Sequence, residues 1–249
     1  MLISPYANQP ISNWQNITNA LVASYPLSMQ EILEIATLSW SRLWGSVIGG
    51  QINIGEVELP APVVGYFFQK LFAHELSNRY PQEWKGEALK SDKDLVNIIN
   101  PTFSTEMKSS GQLGYSLFGN RSYNQQSETS GVNGGKDKSG FYITLNFFGQ
   151  NMTLLRLGWI DQDDWIPQGA QTGQAAILKQ EVYQYKLLNI YGSYMKQSPI
   201  QLLQGIGPKS ALYFNQNGVY TYGDLIEYRG SDPKILSTRR ANEALLARI

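Results

Sequence analysis

The chain has 249 residues, 42% of them apolar, with 20 Lys+Arg balanced by 20 Asp+Glu, one His and no Cys. That is enough apolar material for a large buried core, which argues against disorder and fits one main domain with a small appendage. Without Cys there are no disulfides, thiolate metal sites or thiol nucleophiles, and a single His excludes a His-cluster zinc site, so any metal must sit on oxygen ligands. The first residues, MLISPYANQPISNW, lack a positive region followed by an apolar one, and no apolar run reaches the ~18 residues of a membrane span, which predicts a cytoplasmic protein without membrane contact. The neutral total hides a basic tail, because residues 179–249 hold nine Lys/Arg against five Asp/Glu.

Apolar residues at three- and four-residue intervals predict helices over Trp14–Tyr25, Met29–Val47 and, after Pro60 and Pro62, Val63–Asn78. From Asp94 the period shortens. Leu95–Ile99 is branched and apolar and runs into the turn signal Asn100-Pro101, so it predicts the first strand of a hairpin, with Phe103–Lys108 returning. Phe141–Phe148 and Thr153–Ile160 read as two further strands, the Gly/Asn/Ser-rich run 125–140 as a loop, and Thr172–Tyr191 as a long closing helix. Helices followed by mostly antiparallel strands predict a mixed α+β core.

The returning strand carries the chemistry. Alternation places Phe103, Thr105 and Met107 on one face and Ser104, Glu106 and Lys108 on the other. If the two strands pair, Asp94 approaches Glu106, and two carboxylates with a neighbouring ammonium can hold Mg2+ and stabilise charge at a phosphorus centre, the parts needed for phosphodiester hydrolysis. By itself a Glu-x-Lys pair on a strand is usually a solvated ion pair of small energetic weight. Asp92 is a rival for the role of Asp94. Glu34 and Glu75 are candidate auxiliary carboxylates, and His74, in a helix beside Glu75, suits a structural or interface role better than that of a general base.

The wider pattern is more specific. Lys93-Asp94-Leu95-Val96 followed by Phe103-Ser104-Thr105-Glu106-Met107-Lys108 resembles the PD-(D/E)XK nucleases. Phe118–Tyr123, Lys138–Tyr142, Ser4-Pro5-Tyr6, Arg156–Asp161, Asp164-Trp165 and Thr172-Gly173-Gln174 make the first three quarters of the chain similar to the ScaI-type restriction endonucleases. Lys93 stands where the superfamily's name places Pro. The resemblance implies a central mixed sheet flanked by helices and Mg2+-dependent cleavage of both strands of duplex DNA at a short palindromic site by a homodimer. It also implies Asp94 and Glu106 as metal ligands and Lys108 beside the attacking water.

Asn120, Arg121 and Ser122 follow the catalytic strand. Arg pairs bidentately with guanine and Asn with adenine, although Arg121 could equally grip a phosphate or an internal carboxylate. Gln168, Gln171 and Gln174 around Trp165 offer a second groove-facing surface. In the tail, Pro199–Leu212 with the turn Gly205-Ile206-Gly207 and Lys209, then Gly218–Leu225, resembles a helix-hairpin-helix element, whose exposed N–H groups suit one backbone phosphate. The expected division is therefore a catalytic domain at 1–192 and an all-helical DNA-binding tail at 193–249. A structure-specific repair nuclease and a non-catalytic DNA-binding module are the competing readings.

Overall fold

The computed structural model describes residues 3–119, 138–167 and 176–249. Three helices open the fold: α1 (Ile11–Ser24), α2 (Met29–Trp44) and α3 (Ala61–Arg79). The second begins at a reciprocal cap, in which Ser28 accepts from the Glu31 amide and Glu31 accepts from the Ser28 amide. It stops at Gly45, short of Val47, because the chain turns into a hairpin of β1 (Val47–Ile48) and β2 (Ile52–Asn53). Gly49 and Gly50 make that turn at φ 60° and 73°, a region costly for a side chain.

The remaining strands are β3 (Trp84–Gly86), β4 (Leu95–Asn97), β5 (Thr105–Ser110), β6 (Phe118–Gly119), β7 (Gly140–Phe148), β8 (Asn151–Ile160), β9 (Trp165–Pro167), β10 (Ala176–Leu178) and β11 (Leu187–Ile190). Six of them form the central sheet in the order β11-β8-β7-β5-β4-β3, and β6-β10-β9 form a smaller antiparallel sheet. The expected hairpin exists, with Leu95 opposite Thr105, but its strand next pairs in parallel with β7 from Thr105↔Phe141 to Ser110↔Asn146. The sheet is therefore mixed, antiparallel at every other pairing.

One face of this sheet lies under the helices. Met107, Phe141, Ile143, Leu145, Leu155, Leu157 and Trp159 pack with Tyr25, Ile32, Ile35, Leu43, Phe68 and Phe72 in one apolar core. A 2.7 Å hydrogen bond between the Tyr25 and Thr105 hydroxyls lies inside it. On the other face Tyr142 and Ile160 pack with Leu117, Trp165, Ala176, Leu178 and Val182. Beyond the sheet, α4 (Pro208–Gln216), α5 (Tyr222–Glu227), α6 (Pro233–Ala241) and α7 (Glu243–Leu246) gather a third core around Phe214, Tyr222, Leu225 and Ile235, to which β8 contributes Leu154. No helix among the described residues is long and apolar enough to cross a membrane.

The closing helix expected over Thr172–Tyr191 does not form. Its described part, 176–191, is β10, a short π-helical turn at Val182–Lys186, and β11. Two tertiary effects override the helical period. Pairing of Leu187–Ile190 with β8 completes the edge of the sheet, and Lys186 must enter the interior rather than face water. Gly158 permits the close approach, since a Cβ there would stand 1.9 Å from the Lys186 carbonyl oxygen.

Lys186, 2% exposed, donates to Asp161 at 2.9 Å and to both oxygens of Asp164 at 2.9 and 2.8 Å. Its ammonium also lies 4.3 Å from the Tyr6 ring centre and 4.5 Å from that of Trp14. Asp161 accepts in addition from Ser4 and from the Trp159 indole. Burial pushes the Asp164 carboxyl above its ordinary pKa, opposed by Lys186. Lys186→Met would leave both carboxylates buried without their counter-charge, and is expected to destabilise the chain by about 3–5 kcal/mol, read from the midpoint of urea unfolding.

Candidate active site

Burial dictates the orientation of β5. With Thr105 and Met107 sealed against the helices, the two-residue period turns Glu106, Lys108 and Ser110 to the opposite face. Asp94 lies one residue before Leu95, the partner of Thr105, which sets it level with Glu106. Its Oδ2 accepts from the Met107 amide at 2.7 Å, so the carboxylate clamps the two strands just where the hairpin register ends. The Lys108 ammonium stands 3.4 Å from Glu106 Oε1, with side-chain exposures of 18% and 6% respectively. Two buried carboxylates and a half-buried lysine thus share one corner of the sheet. A donor set of carboxylates alone fits a hard cation such as Mg2+. Among the described residues no group of three or more acidic or His side chains gathers to form a preformed cage.

The rival and auxiliary acids lie elsewhere. Asp92 closes its own turn, accepting from the Ala88 and Leu89 amides at 3.0 and 2.9 Å. Glu75 is ion-paired with Arg42 of the preceding helix, and Glu34 with Arg79 at 3.0 Å. Both pairs tie α2 to α3, the helices that cover the Met107 face. His74 is exposed and bonded to Asn78 on the same helix. The proposed base readers Asn120, Arg121, Ser122, Gln168, Gln171 and Gln174 lie outside the described residues.

The structure adds groups that the spacing of the hairpin does not reveal. Lys138 precedes β7, the parallel neighbour of β5, and is tied electrostatically to the pocket. Burial lowers its pKa, Lys108 lowers it further, and Glu106 opposes both. Lys93, beside Asp94, donates to the Ser139 carbonyl at 3.1 Å. Sequence separation hides this grouping; its one visible sign is that Lys138-Ser139-Gly140-Phe141-Tyr142 belongs to the family pattern. Farther along the same face, Arg156 pairs in register with Thr144 and donates to Asn146 and to the Tyr115 carbonyl. Burial lowers its pKa to about 10, so it stays charged at neutral pH.

In the tail, the predicted first helix of the hairpin is a single 3-10 turn, Ile200–Leu202, whereas the second is α4. Ile206 is buried in the tail core, and Gly205 has φ +85°. Gly207 caps α4 with no side-chain hydrogen bond, a Cβ on it would meet nothing within 4 Å, and Lys209 is exposed in the first turn.

Residues 4–191 match the family model described as ScaI restriction endonuclease. The Type II restriction enzyme ScaI of Streptomyces caespitosus is 32% identical over 197 residues, which covers 76% of this chain and 85% of that protein. No solved structure matches. The matched region and the relative define the class as a site-specific deoxyribonuclease. The chain belongs to the ScaI restriction endonuclease family. The match ends before the tail helices.

Because Asp94 also holds an amide, removing it tests two things at once. Asp94→Ala leaves the Met107 N–H without its acceptor and is expected to cost about 1–3 kcal/mol, whereas Asp94→Asn keeps an acceptor oxygen and should melt near the parent temperature. Thermal unfolding followed by circular dichroism checks the difference.

Proposed function

We propose that the chain is a type II restriction endonuclease of the PD-(D/E)XK kind. It acts as a homodimer that cuts both strands of duplex DNA at a short palindromic site, with Mg2+, and leaves 5′-phosphate and 3′-hydroxyl ends. The observation that carries this reading is the shared face of Glu106 and Lys108 on β5, with Asp94 clamped beside them by the Met107 amide. Asp94 and Glu106 would hold the cation. Once bound, Mg2+ supplies charge neutralisation at the phosphate and lowers the pKa of water.

The residues of the chain do the rest. The two carboxylates, fixed by the sheet, set where the cation and hence the phosphate can dock. Lys108, from the same strand, places a positive charge where negative charge builds up as the phosphodiester is attacked. The low exposure of Glu106 reduces competing hydration and strengthens these interactions. Two protomers related by a two-fold axis would present one such corner to each strand, which accounts for a palindromic site.

The tail is assigned as a helix-hairpin-helix element that grips the DNA backbone through the start of α4 and Lys209. Gly207 has φ −84° and ψ 175°, a conformation any residue adopts, and open space around it. Gly207→Leu should therefore fold normally, weaken binding to duplexes of any sequence and leave the recognised sequence unchanged, as read by a binding titration and by mapping the cut.

The central test is incubation of plasmid DNA with the protein and Mg2+ followed by sequencing of the ends. Discrete fragments with uniform termini are expected, together with loss of cleavage in Asp94→Asn, Glu106→Gln and Lys108→Ala on the order of 10²-fold or more. Cleavage by Lys108→Ala at the parental rate would overturn the assignment. Preference for forks or flaps over linear duplex would select a structure-specific repair nuclease instead.

A further inference from the structure

Residues 45–67, from the end of α2 to the second turn of α3, present apolar surface that no described part of the fold covers. Every residue of the β1–β2 hairpin from Gly45 to Asn53 is exposed, and Val47, Ile48 and Ile52 keep 49, 52 and 49% of their surface in water. Ile48 lies opposite Ile52, so the two share one face of the hairpin. On α3, Val63, Tyr66 and Phe67 follow at helical spacing and are 38, 57 and 44% exposed, while Val64, Phe68 and Phe72 fill the core. This part of α3 is therefore apolar on both its inner and its outer side, a pattern proper to a helix that is covered all round.

Both surfaces lie at one end of the helical layer. The Trp40 indole donates to the Gln150 carbonyl at 2.7 Å and its ring packs on Phe147, while the Gln150 amide donates to the Gly55 carbonyl at 2.9 Å. A Cβ on Gly111 would stand 2.6 Å from the Phe147 ring and 2.7 Å from Ala61. The β7–β8 turn thus gathers the root of the hairpin and the start of α3. It does so past Ser110, at the end of β5 remote from Glu106.

Charge, edge chemistry and area indicate what covers this surface. Residues 45–67 contain no Lys or Arg, and their charged side chains are Glu56 and Glu58, so the stretch is unsuited to a DNA backbone. Strand edges exposed in monomeric proteins are guarded by Lys, by Pro or by other charges, and Gly45–Asn53 has none of these. An antiparallel hairpin can meet a copy of itself about a two-fold axis, with the same residues on both sides. The six side chains leave roughly 400 Å² of apolar area in water. That is about the apolar share of the ~800 Å² which each partner of a stable complex buries.

We propose that this surface is the dimer face of the chain and that its occupant is the same surface of a second copy, with Ile48 and Ile52 packed against their counterparts. The inference rests on the homodimer of the proposed function and states where the two protomers meet. Association at this end of the helical layer leaves the corner of Asp94, Glu106 and Lys108 open to DNA.

The full chain is sedimented to equilibrium, alone and with a duplex carrying the site mapped by end sequencing. The parent protein is expected at twice 28.0 kDa. Ile48→Thr with Ile52→Thr keeps both positions β-branched and is expected to raise the dimer dissociation constant on the order of 10²-fold or more. Phe67→Gln, which retains a good helix former, should raise it about tenfold. Leu212→Thr, at an exposed apolar position of the tail, should leave it unchanged. Cleavage by the hairpin variant should fall at low protein concentration and return as the concentration is raised.

Parental association in the hairpin variant overturns this dimer face and leaves the homodimer itself standing; if that variant loses duplex affinity instead, the hairpin belongs to the DNA interface. Thermal unfolding monitors folding, and Phe67→Gln decides alone should the hairpin variant fail to fold. A parent protein that sediments as a monomer both alone and on its duplex overturns the homodimer reading, and this face with it.

Discussion

Met107 lies in the apolar core beneath the helices, and because a strand turns successive side chains to opposite faces, its burial obliges Glu106 and Lys108 to share the other. A slip of one residue in β5 would bury both charges under the helices and send Met107 toward solvent. The register is pinned at three points: the bond between the Tyr25 and Thr105 hydroxyls, the Asp94 carboxylate on the Met107 amide, and six consecutive pairs with β7. The geometry of the site is thus a consequence of core packing. The same carboxylate that suits a cation also holds the strand bearing its partners.

The charged residues inside the protein divide into two kinds. Lys186, Asp161 and Asp164 satisfy one another almost completely and join the N-terminal segment to the end of β8 and the π-helical turn. Arg156 does similar work between β7, β8 and the Tyr115 segment, whose hydroxyl meets that of Tyr222 in the tail. These groups account for several pieces of the family pattern, Ser4, Tyr6, Arg156, Asp161 and Asp164, that lie away from the corner of Asp94, Glu106 and Lys108. Buried ion clusters of this sort add little net stability over apolar packing, yet removing one member strands the others, which ties those positions to one another. The corner at Glu106 differs in leaving Lys108 partly exposed, with room for solvent to reach its ammonium.

The tail is built on different terms. Its helices are short, and two of them start on side-chain caps: Thr221 and Asp224 cap α5 reciprocally, and Asp232 accepts from the Lys234 and Ile235 amides at the start of α6. Leu154 of β8 enters the tail core, and the Tyr194 hydroxyl accepts from the Leu155 amide of β8 at 2.9 Å, so the tail is seated against the sheet rather than joined only by a linker.

The sequence by itself determined whatever depends on neighbours within a few residues. The three helices followed from apolar spacing, β7 and β8 from apolar branched and aromatic runs, and the common face of Glu106 and Lys108 from alternation alone. The absence of Cys and the single His confined metal chemistry to oxygen ligands, and the family pattern was legible across most of the chain. Only the tertiary structure decided what depends on partners far along the chain. It paired β5 in parallel with β7, gave Asp94 the Met107 amide while Asp92 closed a local turn, and drew Lys138 and Lys93 to the same corner. It also recast 176–191 from a helix into strands around a π-helical turn, because a sheet edge and a buried pair of carboxylates compete successfully with helical periodicity. Local period reports which face a side chain takes, whereas hydrogen-bond and charge partners are set by how distant segments meet.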